Sequence, residues 1–121
     1  TPPVMGQQVA DPNIVKTVVH MMESDVLPGG SGVRAAVPGY RLATKTGTAE
    51  KLGDSGKYDG GYVNYTAGVA PVSHPEVALV VVVNNPTAGT HFGGSVAAPI
   101  FGNIMGPVLK NMNIAPDALL Q

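Results

Sequence analysis

The spacing of apolar residues changes along the chain, and each change marks an element. Ile14, Val15, Val18, Val19 and Met22 recur three and four positions apart, the interval of one helix face. Asp11 is a capping residue and Pro12 suits a first helical position, so a helix is predicted from about Pro12 to Asp25. Pro28-Gly29-Gly30-Ser31-Gly32 stops it and predicts a flexible connection. Residues 1–10 are weakly patterned and predict an extended lead-in.

The interval then shortens to two. Tyr40-Arg41-Leu42-Ala43-Thr44 alternates polar and apolar, predicting a strand from Tyr40 to Glu50. Gly53-Asp54-Ser55-Gly56 and Asp59-Gly60-Gly61 predict an elaborate hairpin tip, with Tyr62 to Ala70 returning and Pro71 to Pro75 as a tight connection. Val77 to Asn84 is a third strand whose continuous valines predict burial on both faces. After a loop over Asn85 to Gly94, Ile100, Phe101, Ile104, Met105, Val108, Leu109 and Met112 return to helical spacing, with Ser95 as the expected cap. Pro107 removes an internal hydrogen bond at about 3 kcal/mol, so a kink or break is expected near Asn103 to Gly106. Met21, Met22, Met105 and Met112 fall on helical stripes, where filling the core is their default use. The expected fold is α+β, an antiparallel meander flanked by helices, and the third strand asks for more cover than these helices provide.

Composition narrows the function. A chain of 121 residues holds one core, and 12% charged residues with net charge −1 give no basic field for nucleic acid. Cysteine is absent, and His20, His74 and His91 have no i,i+4 partner, so neither a metal site nor a cofactor is expected. No apolar run is long enough to cross a bilayer and Thr1-Pro2-Pro3 does not open a signal peptide, so any anchor or export signal is expected outside this chain.

Candidate chemistry concentrates at Lys45-Thr46-Gly47-Thr48, which puts an ammonium, two hydroxyls and a residue without a side chain on one strand. Such a strand can grip a carboxylate and polarise a carbonyl, and Gly47 lets another backbone approach. Two other readings exist. A lysine on an edge strand is commonly a guard against aggregation. Gly39 to Thr46 also approaches the phosphate-loop pattern, but Thr44 stands where glycine is needed and no parallel βαβ unit follows.

Lys-Thr-Gly is also one signature of serine acyl-transfer enzymes. Around it stand Gly30-Ser31-Gly32 with Ala35-Ala36, Gly39-Tyr40, the extension to Thr48-Ala49, Tyr65-Thr66-Ala67-Gly68-Val69-Ala70-Pro71, the valine strand, Phe92-Gly93-Gly94 and Ala98-Pro99-Ile100-Phe101. Together with the ending Met112 to Leu119, these resemble the C-terminal part of the transpeptidase domain of class B penicillin-binding proteins. The likeness is greatest to the septal type of Gram-negative bacteria and runs over almost the whole of residues 1–121.

That resemblance implies a penicillin-binding, β-lactamase-like fold and a D,D-transpeptidase that cross-links peptidoglycan stem peptides through an acyl-serine, with β-lactams as inhibitors. It implies a place on the periplasmic side of the inner membrane and cell-division proteins as partners. Lys45 would sustain positive potential and bond a relay serine, Thr46 and Thr48 would bind the carboxylate of D-alanyl-D-alanine or a β-lactam, and the Thr48 N–H would be an oxyanion donor. Gly47 would keep the approach open. Tyr58, His91 and Phe92 would wall the cleft, with His91 where the family often has an aromatic residue; residue type alone favours packing for Tyr58 and Phe92. The family's Ser-x-x-Lys and Ser-x-Asn occur nowhere in the chain, so the nucleophile is expected on a preceding segment and the chain alone is expected to be inactive. A non-catalytic β-lactam sensor or docking domain of the same fold is the alternative. A class A β-lactamase fits less well, since no deacylating glutamate can be assigned.

Overall fold

A computed structural model describes residues 1–87 and 92–118. Helix α1 spans Pro12–Met22, capped by the Asp11 carboxylate on the Asn13 amide at 2.8 Å. It then tightens into a 3-10 turn over Glu23–Val26, so the predicted helix ends earlier than Asp25 as an α-helix. A second 3-10 turn covers Val33–Ala35. Strands β1 (Ala43–Glu50), β2 (Tyr62–Ala70) and β3 (Val77–Asn84) form an antiparallel sheet in that order, and α2 (Gly93–Asn111) closes the described fold.

Both turn-rich links behave as the sequence predicts. The hairpin tip is stitched by Lys51 N to Gly61 O at 2.8 Å and Gly53 N to Lys57 O at 2.7 Å, and the β2–β3 link is closed by Glu76 N on Ala70 O at 3.1 Å. The first strand starts at Ala43 and not at Tyr40, because Arg41 N donates to Asp117 Oδ1 at 2.7 Å and Tyr40 N turns back to Val37 O. Residues 114–118 strap the base of β1: Tyr40 donates its hydroxyl to Ile114 O at 2.6 Å, and Asp117 Oδ2 takes the Ser73 amide at 3.1 Å.

Helix α2 makes the core. Phe101, Met105 and Leu109 stand at four-residue intervals, are fully buried, and pack with Leu42, Ala70, Val81, Ala35 and Val37. The helix passes unbroken through Pro99 and Pro107, so of the kink or break expected near Asn103 to Gly106 the break does not occur, as the apolar stripe continuing beyond Pro107 favours. The continuous apolar stripe on both sides of Pro107 stays packed, and that packing outweighs one lost hydrogen bond. Phe92, with no side-chain cap bond, occupies the N-cap position expected of Ser95.

Three other expectations change. The valine strand buries one face only: Val81 is buried while Val80 and Val82 are 62% and 60% exposed, because α2 covers a single side of the sheet. The apolar stripe of α1 is only partly covered: Val19 and Met22 are half-buried, while Ile14, Val15 and Val18 are exposed. Met105 fills the core, but Met21 and Met112 lie exposed on helix faces that no described element covers. Truncating the residue at the centre of this packing, Phe101→Ala, is expected to lower the unfolding free energy by about 3–5 kcal/mol, read as a fall in the urea midpoint at unchanged slope.

Candidate functional site

Among the described residues β1 is the outer strand of the sheet and pairs with β2 alone, Thr46 opposite Thr66 and Thr48 opposite Asn64. Antiparallel pairs alternate between residues bonded to the neighbour and residues whose N–H and C=O turn away from it. Lys51 is in bonded register, its N donating to Gly61 O, and the ladder keeps that register back through Lys45 opposite Ala67 and Ala43 opposite Val69. The alternation therefore directs the amides of Thr44, Thr46 and Thr48 to the outer edge. This is strand geometry throughout, without the loop and following helix of a phosphate-binding loop, so the nucleotide reading fails.

Side chains alternate too. Thr44 and Thr46 face α2 and are 1% and 7% exposed, whereas Thr48, further along the same face, is exposed. Lys45 is on the opposite face and exposed, and its Nζ curls round the edge to donate to Thr46 O. An ammonium and two hydroxyls thus meet along one rim. Behind them, Asn64 and Thr66 are buried, and their side-chain polar atoms have no hydrogen-bond partner among the described residues.

Two grooves run from this rim. One of about 420 Å³ is lined by Ser31, Arg34, Thr46, Thr48, Phe92 and Ser95 among others. The other, of about 500 Å³, joins Thr48 to Tyr58, Tyr62 and Phe92. Thr48 and Phe92 line both grooves, with Thr46 on the first and Tyr58 on the second, and Tyr58 and Phe92, 69% and 62% exposed, do not serve as core packing. His91 lies outside the described residues. A Cβ at Gly47 would overlap the ring of Tyr65, its partner across the ladder, so the missing side chain makes room for Tyr65.

Sequence reasoning missed the groups behind the strand. Asp25 Oδ2 accepts from Thr44 Oγ1 at 2.6 Å, Asp25 Oδ1 accepts from Ser31 Oγ at 2.6 Å, and Ser31 Oγ lies 2.8 Å from Thr46 Oγ1. Glu23 holds Arg41 by two bonds, Nε to Oε2 at 2.6 Å and Nη2 to Oε1 at 2.8 Å. The hydrogen bond to Glu23 raises the Arg41 pKa above its ordinary value against an opposing desolvation, with the Glu23 and Asp117 charges adding to the rise. The signal for Asp25 was a carboxylate followed by a glycine-rich turn, which reads locally as a helix stop.

Residues 1–106 match the penicillin binding protein transpeptidase domain. The chain belongs to that family. It is 63% identical over 118 residues to the peptidoglycan D,D-transpeptidase FtsI of Escherichia coli K12, covering 98% of this chain and 20% of that protein. It is 38% identical over 114 residues to the stage V sporulation protein D of Bacillus subtilis, covering 94% of this chain and 18% of that one. The apo structure of the TP domain of Burkholderia pseudomallei penicillin-binding protein 3 superposes with a TM-score of 0.85 at 39% identity, over 98% of this chain and 36% of that structure. This transpeptidase segment thus spans about a fifth of the length of the curated relatives it matches.

The pairing of Gly47 with Tyr65 gives a direct test. Gly47→Ala is expected to destabilise the protein by about 1–3 kcal/mol through overpacking. Combined with Tyr65→Ala, the added methyl is expected to cost little beyond the loss of the ring, which a double-mutant cycle in denaturant will measure.

Proposed function

We propose that this segment supplies the Lys-Thr-Gly strand and one wall of the active site of a peptidoglycan D,D-transpeptidase working in septal wall synthesis. The attacking serine and its relay serine come from polypeptide outside residues 1–121, since neither motif occurs in the sequence. One observation carries the reading: an outer strand of a transpeptidase-family chain turns the Lys45 amine and the Thr46 and Thr48 hydroxyls to a single rim, with Phe92 and Tyr58 beside it.

In this role the rim receives the terminal carboxylate of a D-alanyl-D-alanine stem or of a β-lactam, at Thr46 and Thr48. Lys45 keeps the potential positive and holds the relay serine. The outward-turned amide of Thr48 donates to the oxyanion of the tetrahedral intermediate, a contact worth about 3 kcal/mol in other enzymes. Tyr58 and Phe92 shape the side of the cleft, as would His91. The same enzyme works on the periplasmic side of the inner membrane with cell-division proteins, and no described helix is long and apolar enough to cross a membrane. The rest of the domain covers the open sides of β3 and α1.

The test uses the full polypeptide carrying this segment, incubated with a fluorescent penicillin and separately with lipid-linked peptidoglycan precursor and a glycosyltransferase. Covalent label together with cross-linked product is expected, while residues 1–121 alone stay unlabelled. Label without cross-links would identify a sensor, and rapid nitrocefin turnover a β-lactamase. Thr48→Pro, which deletes the oxyanion N–H, is expected to slow acylation by about a hundredfold or more. An unlabelled wild-type protein would overturn the reading.

A further inference from the structure

The turn between α1 and β1 is built around a carboxylate. Gly32 N donates to Asp25 O at 3.0 Å and to Asp25 Oδ1 at 3.2 Å, and a Cβ at Gly30 or Gly32 would overlap the Asp25 backbone or its carboxylate. The predicted flexible connection is thus a closed cradle. Three donors converge on Asp25: the hydroxyls of Thr44 and Ser31 and the amide of Gly32. A carboxylate has acceptor sites enough for all three, and each of the three gives its proton to Asp25.

A hydroxyl has one proton to give. Ser31 spends its proton on Asp25, so in the 2.8 Å contact with Thr46 it must accept, and Thr46 must donate. We infer that Asp25, acting through Ser31, is a positioning residue that commits the Thr46 hydroxyl proton to Ser31 on the groove wall and leaves only Thr46 lone pairs for a ligand. This rests on the reading of Thr46 and Thr48 as the carboxylate subsite and refines it. A substrate carboxylate meets an acceptor at Thr46 unless it breaks the bond to Ser31. Asp25 and Ser31 therefore limit how strongly this strand discriminates in favour of an anionic ligand.

The readout is the second-order acylation rate of the full polypeptide with benzylpenicillin divided by that with its methyl ester. Releasing the Thr46 proton in Ser31→Ala is expected to raise this acid-to-ester ratio about three- to tenfold, the worth of one freed hydrogen bond. Asp25→Ala, which frees the Ser31 proton to point at Thr46, is expected to raise it similarly, the double variant to add nothing more, and Ser31→Thr to retain the wild-type ratio. A merely structural role would slow both reactions together and leave the ratio where it was, overturning the inference, as would a fall in the ratio. Should Asp25→Ala fail to fold, Ser31→Ala decides alone, since Ser31 is an exposed residue. A wild-type enzyme with no preference for the acid would sink the carboxylate reading itself, whereas a wild-type preference unmoved by Ser31→Ala would sink only the commitment of the Thr46 proton.

Discussion

Among the described strands β1 pairs with β2 alone, along one edge, and the arrangement of the rim follows from that constraint. A strand bonded on both sides has its amides consumed. Bonded on one side, every second peptide unit turns outward, and the same period of two divides the side chains between faces. Thr46 and Thr48 share the face toward α2, Gly47 faces Tyr65, and Lys45 reaches round the edge from the opposite side.

An edge so exposed needs fixing at its base. The Arg41–Glu23 pair ties the entry of β1 to the turn after α1, and Asp117 takes the Arg41 amide from the far end of the chain. Asp25 follows Glu23 by two residues, so the clamp that sets the strand also brings a carboxylate beneath it. The contact from Asp25 to Thr44 and the contact from Ser31 to Thr46 then join the turn to alternate residues of the strand. Structural support and the direction of hydroxyl protons are consequences of the same short segment.

The core contributes in a quieter way. Phe101 lies against Gly68 so closely that a Cβ there would come within 2.9 Å of the ring tip. Packing on that side brings the start of α2, and with it Phe92, next to Thr48. One side of the sheet is therefore both core and site wall, while the side bearing Val80 and Val82 is open.

Local order in the sequence determined a good deal: the bounds of β2 and β3, the Asp11 cap, the strand bearing Lys45 to Thr48, and the family. The elements depend on periods of two and of three to four residues, and the family likeness on runs of adjacent residues such as Lys45 to Ala49 and Tyr65 to Pro71, all of which a sequence displays directly. Tertiary structure alone decided which face of the valine strand is covered, that Gly47 makes room for Tyr65, and that Asp25 reaches Thr44 directly and Thr46 through Ser31. Each of those rests on contacts between residues far apart along the chain, 15 positions for Ser31 and Thr46 and 19 for Asp25 and Thr44, and no local period encodes which distant group will arrive.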